Sequence, residues 1–240
     1  MAKFRFISVS KDNSQSFKED DFRKLGHDIV FVNDNSDSLP VVYNRFLDEE
    51  RSLDIKHDFL VLIHSDVKFD IEHFCNHCEE VSEKYDVIGL CGCEKIDTSE
   101  TPFNWFCGSR KYPEYRWGCV THGELENAKS YFSQDRSEIK DHRVACIDGL
   151  CIVFGKKALE SELRFNEMFM FDFYDSQISF DAILNFKLRL GVIVEESLCH
   201  YSVGKSILTD DFLRHEYDFR KLFGLRIPEK VQEVFEKNNK

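Results

Sequence analysis

The sequence lacks several features that would place it in other classes of protein. It has no apolar run long enough to span a bilayer, no apparent secretory signal peptide, no internal repeat and no low-complexity segment. It also lacks an excess of basic residues: the net charge is −12, which argues against broad nucleic-acid binding, because that function needs a dense basic surface. The nine cysteines are an odd number, and without a leader they indicate reduced thiols, so we expect a cytoplasmic protein.

What is present is an ordinary globular composition, with 42% hydrophobic and 32% charged residues in a chain of 240. Strand patterns occur at 3–9, 28–32, 59–64 and 86–90, with helix patterns between them. That alternation predicts an α/β fold with a mostly parallel central sheet flanked by helices. No G-x-G-x-x-G follows the first strand, so the usual dinucleotide-binding fingerprint is absent.

Three helix starts can be recognised in this first part. Ser16 and Glu19 form a capping-box pattern before the first helix, which predicts Ser16 as its N-cap. Pro40 suits the first turn of the second helix, where its missing N–H costs little. Asp70 is expected to cap the third.

The most informative stretch is the apolar run 59–63, which ends in His64, Ser65 and Asp66. A short, uninterrupted apolar run predicts a strand that is buried on both faces of a parallel sheet. Ligands of such sheets bind beyond the carboxyl ends of the strands, and a carboxylate there can hold a divalent cation against a phosphate. The simpler alternative is that Asp66 only begins the turn into the next helix.

The regular pattern breaks between 93 and 143, where we expect an irregular, substrate-facing insertion that includes a mobile lid over the ligand. Aromatic residues suited to stacking on a flat ligand are concentrated in it, namely Trp105, Tyr112, Tyr115 and Trp117. Strand, helix and strand patterns then follow at 145–154, 176–190 and 192–194.

An ordered set of short motifs runs through roughly residues 3–205: Tyr43-Asn44, His64-Ser65-Asp66, Asp148-Gly149, Arg164-Phe165-Asn166-Glu167, Tyr174-Asp175 and His200. In this order and spacing they resemble the nucleotide-sugar glycosyltransferases of the GT-A fold, in the family-2-like branch typified by a streptomycin-biosynthesis protein. Two departures stand out. The usual Asp-x-Asp is reduced to His64-Ser65-Asp66, and Gln177 stands where the second Asp of a Tyr-Asp-x-Asp pattern would be.

The resemblance implies a GT-A (Rossmann-like) domain over 1–210 and leaves 211–240 as a helical C-terminal extension. It implies a glycosyltransferase, of the inverting type, that moves a sugar from a nucleoside-diphosphate sugar to the hydroxyl of a saccharide or other acceptor. Mn²⁺ or Mg²⁺ would stabilise the leaving diphosphate, held by Asp66 and His200. Asp175 matches the general base, and its apolar neighbours are expected to raise its pKa.

Binding of the nucleotide sugar is assigned to Asp34, Asn35, Asn44, His64, Asp66, Asp148 and Gly149. Structural alternatives remain open: a polar turn for Asp34 and Asn35, a packed core histidine for His200, and a helix N-cap for Asp175. A catalytically inactive, nucleotide-sugar-binding homologue is the alternative function, and Gln177 is the residue that favours it.

The segment 212–227 combines apolar residues with basic ones and carries a net charge opposite in sign to that of the chain. We predict a helix that packs its apolar residues onto the domain and leaves its basic residues solvated. The alternatives are contact with an anionic membrane that carries a lipid-linked acceptor, and a subunit contact.

Overall fold

The computed structural model describes residues 2–54, 56–99, 113–123, 129–131, 139–202 and 209–238. The strands are β1 (Phe4–Val9), β2 (Asp28–Val32), β3 (Phe59–His64), β4 (Val67–Lys68), β5 (Val87–Gly89), β6 (Cys91–Cys93), β7 (Arg116–Gly118), β8 (Val120–His122), β9 (Lys129–Tyr131), β10 (Asp141–Arg143), β11 (Cys146–Ile147), β12 (Cys151–Gly155), β13 (Leu190–Ile193) and β14 (Cys199–His200). The helices are α1 (Glu19–Arg23), α2 (Leu39–Ser52), α3 (Ile71–Val81), α4 (Lys156–Glu160), α5 (Tyr174–Leu184), α6 (Asp210–Leu222) and α7 (Glu229–Asn238), with one 3-10 turn at Pro113–Tyr115.

A seven-stranded sheet forms the centre of the protein, in the order β10-β13-β5-β12-β3-β1-β2. The pairs β1–β2, β1–β3 and β5–β13 are parallel, whereas β12 runs antiparallel to both of its neighbours and β10 is antiparallel to β13. The predicted fold class, a mostly parallel sheet flanked by helices, is confirmed. The run 59–63 is the predicted doubly buried strand, because every one of its residues is buried.

The two faces of the sheet carry separate cores. Leu60 and Leu62 pack with residues of α2, α4, α5 and α6, whereas Val61 and Ile63 point to the other face and pack with residues of α1 and α3. Alternate side chains of a strand point to opposite faces, so β3 contributes to both cores. Full burial of each such side chain contributes about 1.5–3 kcal/mol, which makes β3 a main source of stability.

Two small sheets lie at the carboxyl ends of the central strands. One has the order β11-β6-β7 and the other β4-β14-β8-β9. The described part of 93–143 contains four short strands, β7 to β10. The predicted lid lies largely outside the described residues, as do Trp105 and Tyr112, and it stays a prediction.

The pattern at 145–154 is two strands instead of the one we predicted. Asp148 and Gly149 separate β11, in a small sheet, from β12, in the central sheet. The turn leaves no mark in the hydrophobic pattern, because every residue of both strands is buried. Periodicity alone therefore cannot reveal the break.

Two of the three predicted helix starts are confirmed. Pro40 lies in the first turn of α2, and the Asp70 side chain accepts a hydrogen bond from the His73 N–H. The N-cap at Ser16 is wrong, because α1 begins at Glu19 with Lys18 at the N-cap. The helix predicted at 176–190 is also displaced, since α5 ends at Leu184 and a turn leads into β13.

The C-terminal helix α6 packs onto the domain, as predicted. Phe219 is fully buried in the same core as α2 and α5, and Phe212 and Phe223 pack against it. The prediction of solvated basic residues is wrong for Arg220, which is fully buried. Its guanidinium forms an ion pair with Glu216 at 2.8 Å and donates to the carbonyls of Thr98 and Arg226. Among the described residues, no helix is long and apolar enough to cross a membrane.

Candidate functional site

The carboxyl ends of β1, β2 and β3 meet at one edge of the central sheet. Val9 lies opposite both Val32 and His64 in the strand register, so the three chains leave the sheet at the same level. Backbone hydrogen bonds tie the loops together, from the Ser16 N–H to the Ser65 carbonyl and from the Asn35 N–H to the Ser10 carbonyl. This edge is the position at which open α/β sheets bind their ligands.

His64, Asp66 and His200 converge at this edge as a possible metal site. The short strands β4 and β14 pair antiparallel, and the Tyr201 N–H donates to the Asp66 carbonyl, which brings His200 across from Asp66. One ligand atom from each of the three residues lies within 4.8 Å of the others. In the part of the chain that the structure describes, they form the only cluster of three or more potential ligands with this spacing.

The charges in this cluster are strongly coupled. Burial alone would raise the pKa of Asp66, but the hydrogen bond and charge of His200, with the charge of His64, lower it to about 2. Burial opposes the charged form of His200 too, yet its hydrogen bond to Asp66 and the charge of that carboxylate raise its pKa. Burial lowers the pKa of His64, which keeps that imidazole neutral. An ionised carboxylate beside a neutral imidazole is a suitable ligand pair for a divalent cation.

The donor set fits a transition metal better than it fits magnesium. Imidazole nitrogen suits transition metals such as Zn²⁺ and Fe²⁺, whereas Mg²⁺ prefers oxygen ligands throughout. His200 faces Asp66 through its Nε2 atom, which lies 3.4 Å from the carboxylate oxygen and 2.9 Å from the Ser202 hydroxyl.

Tyr174 connects this cluster to the rest of the site. Its hydroxyl lies 2.8 Å from the Nε2 atom of His64, and the residue is almost fully buried. Gly149 makes that position possible: a Cβ atom on residue 149 would lie 2.0 Å from the Tyr174 hydroxyl oxygen and 2.4 Å from Cζ. Gly149 is thus required for packing under Tyr174, a role that is separate from the predicted contact with the nucleotide sugar.

Gly149→Ala is expected to move Tyr174 and to disturb the orientation of His64. Overpacking of this kind costs about 1–3 kcal/mol of stability. We expect a loss of that size in urea unfolding, together with weaker Mn²⁺ binding in calorimetry. Gly155→Ala is the matched control, because the nearest atom to its added methyl group lies 3.3 Å away. A Gly149→Ala protein that binds Mn²⁺ as tightly as the wild type would limit Gly149 to packing.

Asp175 lies in the first turn of α5, with its carboxyl group against the turn that contains Asp148 and Gly149. Its two oxygens accept hydrogen bonds from the Ser176 N–H at 2.6 Å and the Gly149 N–H at 3.3 Å. Burial, followed by the negative charge of Asp148, raises the pKa of Asp175 to about 7 against the effect of these hydrogen bonds. The N-cap alternative is wrong, since Phe173 occupies that position.

A carboxyl group with a pKa near 7 is suited to accept a proton at neutral pH. The expected direction of the shift agrees with the apolar surroundings of Asp175. The contribution of Asp148 to this pKa was not predicted, although Asp148 and Asp175 both belong to motifs recognised in the sequence. Nothing in the sequence alone reveals that a turn 26 residues upstream of Asp175 faces it.

Three of the residues assigned to the nucleotide sugar, Asp34, Asn35 and Asn44, have different surroundings. Asp34 is exposed at the site edge and has a left-handed backbone with φ of 51°. The Asn35 side chain closes a local turn with Asp37, donating to its carbonyl at 2.7 Å and accepting from its N–H at 3.2 Å. Asn44 is not brought to the site: it is buried, and its amide is bonded to the Phe165 backbone and to Glu167.

Gln177, the second departure from the family pattern, has a structural role. It is buried, its Oε1 atom accepts from the Asn166 N–H at 2.8 Å, and its Nε2 atom donates to the Arg164 carbonyl at 3.3 Å. Gln177 therefore anchors the segment that precedes α5, and it does so by means of an amide that both donates and accepts, which a carboxylate does not.

One exposed aromatic residue borders the site and was not predicted. Phe171 is 61% exposed, and its ring stacks near His64 with a centroid distance of 6.2 Å. Met168 and Met170 are exposed on the same segment. An apolar rim next to a half-buried polar cluster is typical of a ligand site.

Comparison with known proteins gives distant structural likenesses. No family model matches the chain, and no curated protein matches it. The crystal structure of A197 from STIV is similar with a TM-score of 0.46 and 16% identity, over 82% of this chain and 83% of that one. S. aureus TarS 1–349 has a TM-score of 0.44 and 13% identity, over 97% of this chain and 69% of that one.

GalNAc-T7, whose structure is with UDP, GalNAc and Mn²⁺, has a TM-score of 0.44 and 11% identity. This chain is covered to 99% and GalNAc-T7 to 54%, so the chain spans about half the length of that protein. The TM-scores and the sequence identities of all three likenesses are low.

Proposed function

We propose that this protein is a metal-dependent glycosyltransferase that moves a sugar from a nucleoside-diphosphate sugar to an acceptor hydroxyl. The observation that carries the proposal is the convergence of the cluster His64, Asp66 and His200 with a carboxyl group, Asp175, whose pKa is about 7. The reaction needs both parts, a means to stabilise the leaving diphosphate and a base for the acceptor. The motifs that resemble the GT-A glycosyltransferases support the same assignment.

The cluster would hold the metal, with Asp66 as the anionic ligand and His64 and His200 as imidazole ligands. When bound, the metal supplies positive charge to the oxygens of the leaving diphosphate. Because two of the three ligands are nitrogen, we propose Mn²⁺ in preference to Mg²⁺. The hydrogen bond that the His64 Nε2–H donates to the Tyr174 hydroxyl would keep the His64 ring oriented, as outer partners of metal-binding histidines do.

Asp175 would take the proton from the acceptor hydroxyl as the oxygen attacks the anomeric carbon. The bond from that carbon to the diphosphate breaks, and the diphosphate leaves with its electron pair. A single displacement of this kind inverts the configuration at the anomeric carbon. Burial and, after it, the charge of Asp148 keep the pKa of Asp175 near 7. Asp34, which follows β2, is available to the nucleoside. The exposed ring of Phe171 borders the side on which the acceptor would enter.

A thermal-shift panel tests the proposal directly. UDP, GDP, CDP, ADP and dTDP are each added with Mn²⁺, with Mg²⁺ or with EDTA. At a ligand concentration 100 times Kd, binding stabilises the folded state by about 2.7 kcal/mol. For a chain of this size that corresponds to a rise in Tm of roughly 5–10 °C. We expect one diphosphate to produce this shift with Mn²⁺, a smaller one with Mg²⁺ and none with EDTA.

The corresponding nucleotide sugar is then incubated with the protein, and free nucleoside diphosphate is measured over time. Slow metal-dependent release supports an active transferase, because donor hydrolysis is transfer to water. A metal-dependent shift in Tm without any release would favour the inactive, nucleotide-sugar-binding alternative. No shift with any diphosphate would overturn both.

A further inference from the structure

The residue before Tyr174 and Asp175 has an unusual backbone conformation. Phe173, at the N-cap of α5, has φ of 67° and ψ of −2°, which is the left-handed region. For a bulky residue this conformation is rare and costs on the order of 1–3 kcal/mol, so it persists only where the surroundings impose it. Such strain is concentrated at functional sites, which makes the surroundings of Phe173 informative.

The C-terminal helix α6 supplies those surroundings. The ring of Phe173 lies 4.9 Å from the ring of Phe212 and 5.3 Å from that of Phe219, measured between centroids. Phe169, on the segment before α5, packs against Phe219 at 6.2 Å. Phe173, Phe169 and Phe219 are all buried, so the cluster is a fixed part of the core. Aromatic pairs at these distances contribute about 0.5–1.5 kcal/mol each beyond area burial, enough together to offset the strain.

The two residues that follow Phe173, Tyr174 and Asp175, both contribute to the site. The Tyr174 hydroxyl contacts His64, and the Asp175 carboxyl contacts the Gly149 N–H. The peptide plane between Phe173 and Tyr174 sets the direction in which α5 begins. A change from left-handed to ordinary φ at residue 173 would therefore swing the first turn of α5, and Asp175 with it, away from the turn at Gly149.

We propose that α6 is a positioning element of the site: Phe212 and Phe219 hold Phe173 in its left-handed conformation, and Phe173 thereby places the carboxyl group of Asp175. The catalytic consequence depends on the proposed function, whereas the positional claim does not. The segment 211–240 is then a working part of the transferase domain and not an appendage to it.

The test compares two phenylalanines at opposite ends of α6, Phe212 in its first turn and Phe223 at its C-cap. Phe212→Ala removes a half-buried ring that packs on Phe173, and Phe223→Ala removes a half-buried ring that packs on Phe180 at 5.2 Å and Phe219 at 4.9 Å. Phe212→Tyr keeps the ring and serves as the rescue. The readout is the pKa of the Asp175 carboxyl, measured by ¹³C NMR on protein with labelled aspartate. The Asp175 signal is assigned from its absence in Asp175→Asn. This measurement needs no substrate and no metal.

The titratable groups that face Asp175 are its helix neighbour Tyr174 and, from other elements, Asp148 and the thiols of Cys93 and Cys146, and all are retained in every variant. If Phe173 holds Asp175 in place, Phe212→Ala lets the carboxyl move toward water, and its pKa falls by about one unit. Phe223→Ala and Phe212→Tyr leave it within a few tenths of a unit of the wild-type value. Urea unfolding of all variants measures how much stability each substitution removes.

A lower pKa of Asp175 in Phe212→Ala alone supports the proposal, even if no glycosyltransferase activity is found. In that case the positioning stands and the proposed function fails. If an activity is present, kcat should fall about tenfold in Phe212→Ala, since the base is displaced. An unchanged pKa in Phe212→Ala, or an equal shift in Phe212→Ala and Phe223→Ala, overturns the proposal.

Discussion

Asp66→Asn is expected to abolish the metal dependence of nucleoside diphosphate binding. The substitution keeps the shape of the side chain and removes the only anionic ligand of the cluster. It also removes the charge that raises the pKa of His200. Mutation of a residue that hydrogen-bonds to a metal ligand typically lowers metal affinity by about 10–100-fold. Loss of a ligand itself should therefore weaken Mn²⁺-dependent binding by on the order of 100-fold or more.

Isothermal calorimetry with the diphosphate that performs best in the thermal panel measures this effect, with Mn²⁺ and with EDTA. Asp37→Asn is the matched control, because it makes the same change in an exposed carboxylate that follows β2 at the same edge of the sheet. The control should bind as the wild type does. Metal-dependent binding of equal strength by Asp66→Asn and the wild type would remove Asp66 from the metal site.

Asp175→Asn should leave donor binding intact and lower turnover by on the order of 10²–10⁴, the usual contribution of a general base. The wild-type rate should rise with pH through about 7, because the base must be deprotonated and its pKa is raised to about that value. The residual activity of Asp175→Asn should lack this rise. Asp181→Asn, on the same helix but bonded to Gln177 and Asn185, is the control for effects on α5 itself.

The same residue should make stability depend on pH in an unusual direction. The folded pKa of Asp175 is raised, so between its ordinary value of 3.8 and about 7 the folded state holds a proton that the unfolded state has lost. Stability from this group is present at low pH and is lost as the pH rises through that window. Asparagine does not ionise, so Asp175→Asn should be more stable than the wild type at pH 8 in urea unfolding.

Higher stability of Asp175→Asn at pH 8 would indicate that Asp175 is a general base that lowers the stability of the fold, and not a residue that supports it. Groups that are poised for chemistry often cost stability, and replacing them increases it. If Asp175→Asn is instead less stable at pH 8 and keeps its turnover, the side chain serves the start of α5 and not the reaction.

Local patterns were sufficient for much of the architecture. The alternation of strand and helix signals predicted the parallel strands β1, β2 and β3, and the apolar run 59–63 identified the strand buried on both faces. The polar residues after that run, together with the family-like motifs, pointed to the edge of the sheet at which His64, Asp66 and His200 meet. These features are readable because period and polarity are properties of neighbouring residues in the chain.

Other features depended on contacts between distant residues. The turn at Asp148 and Gly149 sends β12 antiparallel into the centre of the sheet, although the apolar pattern continues across both strands. Asn44 was expected at the nucleotide, but its amide is bonded to residues more than 120 positions away. Arg220 was expected in solvent and is buried against Glu216, because basic residues on a predicted helix are normally on its exposed face.

By itself, the sequence determined the class of fold, the main strand and the residue types from which a site could be built. Only the tertiary structure decided which of those residues meet. It brought His200 within 3.4 Å of Asp66, placed Asp148 where its charge raises the pKa of Asp175, and packed α6 against Phe173. The physical reason is that pKa values, ligand geometry and backbone strain are set by neighbours in space, whereas helix and strand patterns are set by neighbours in the chain.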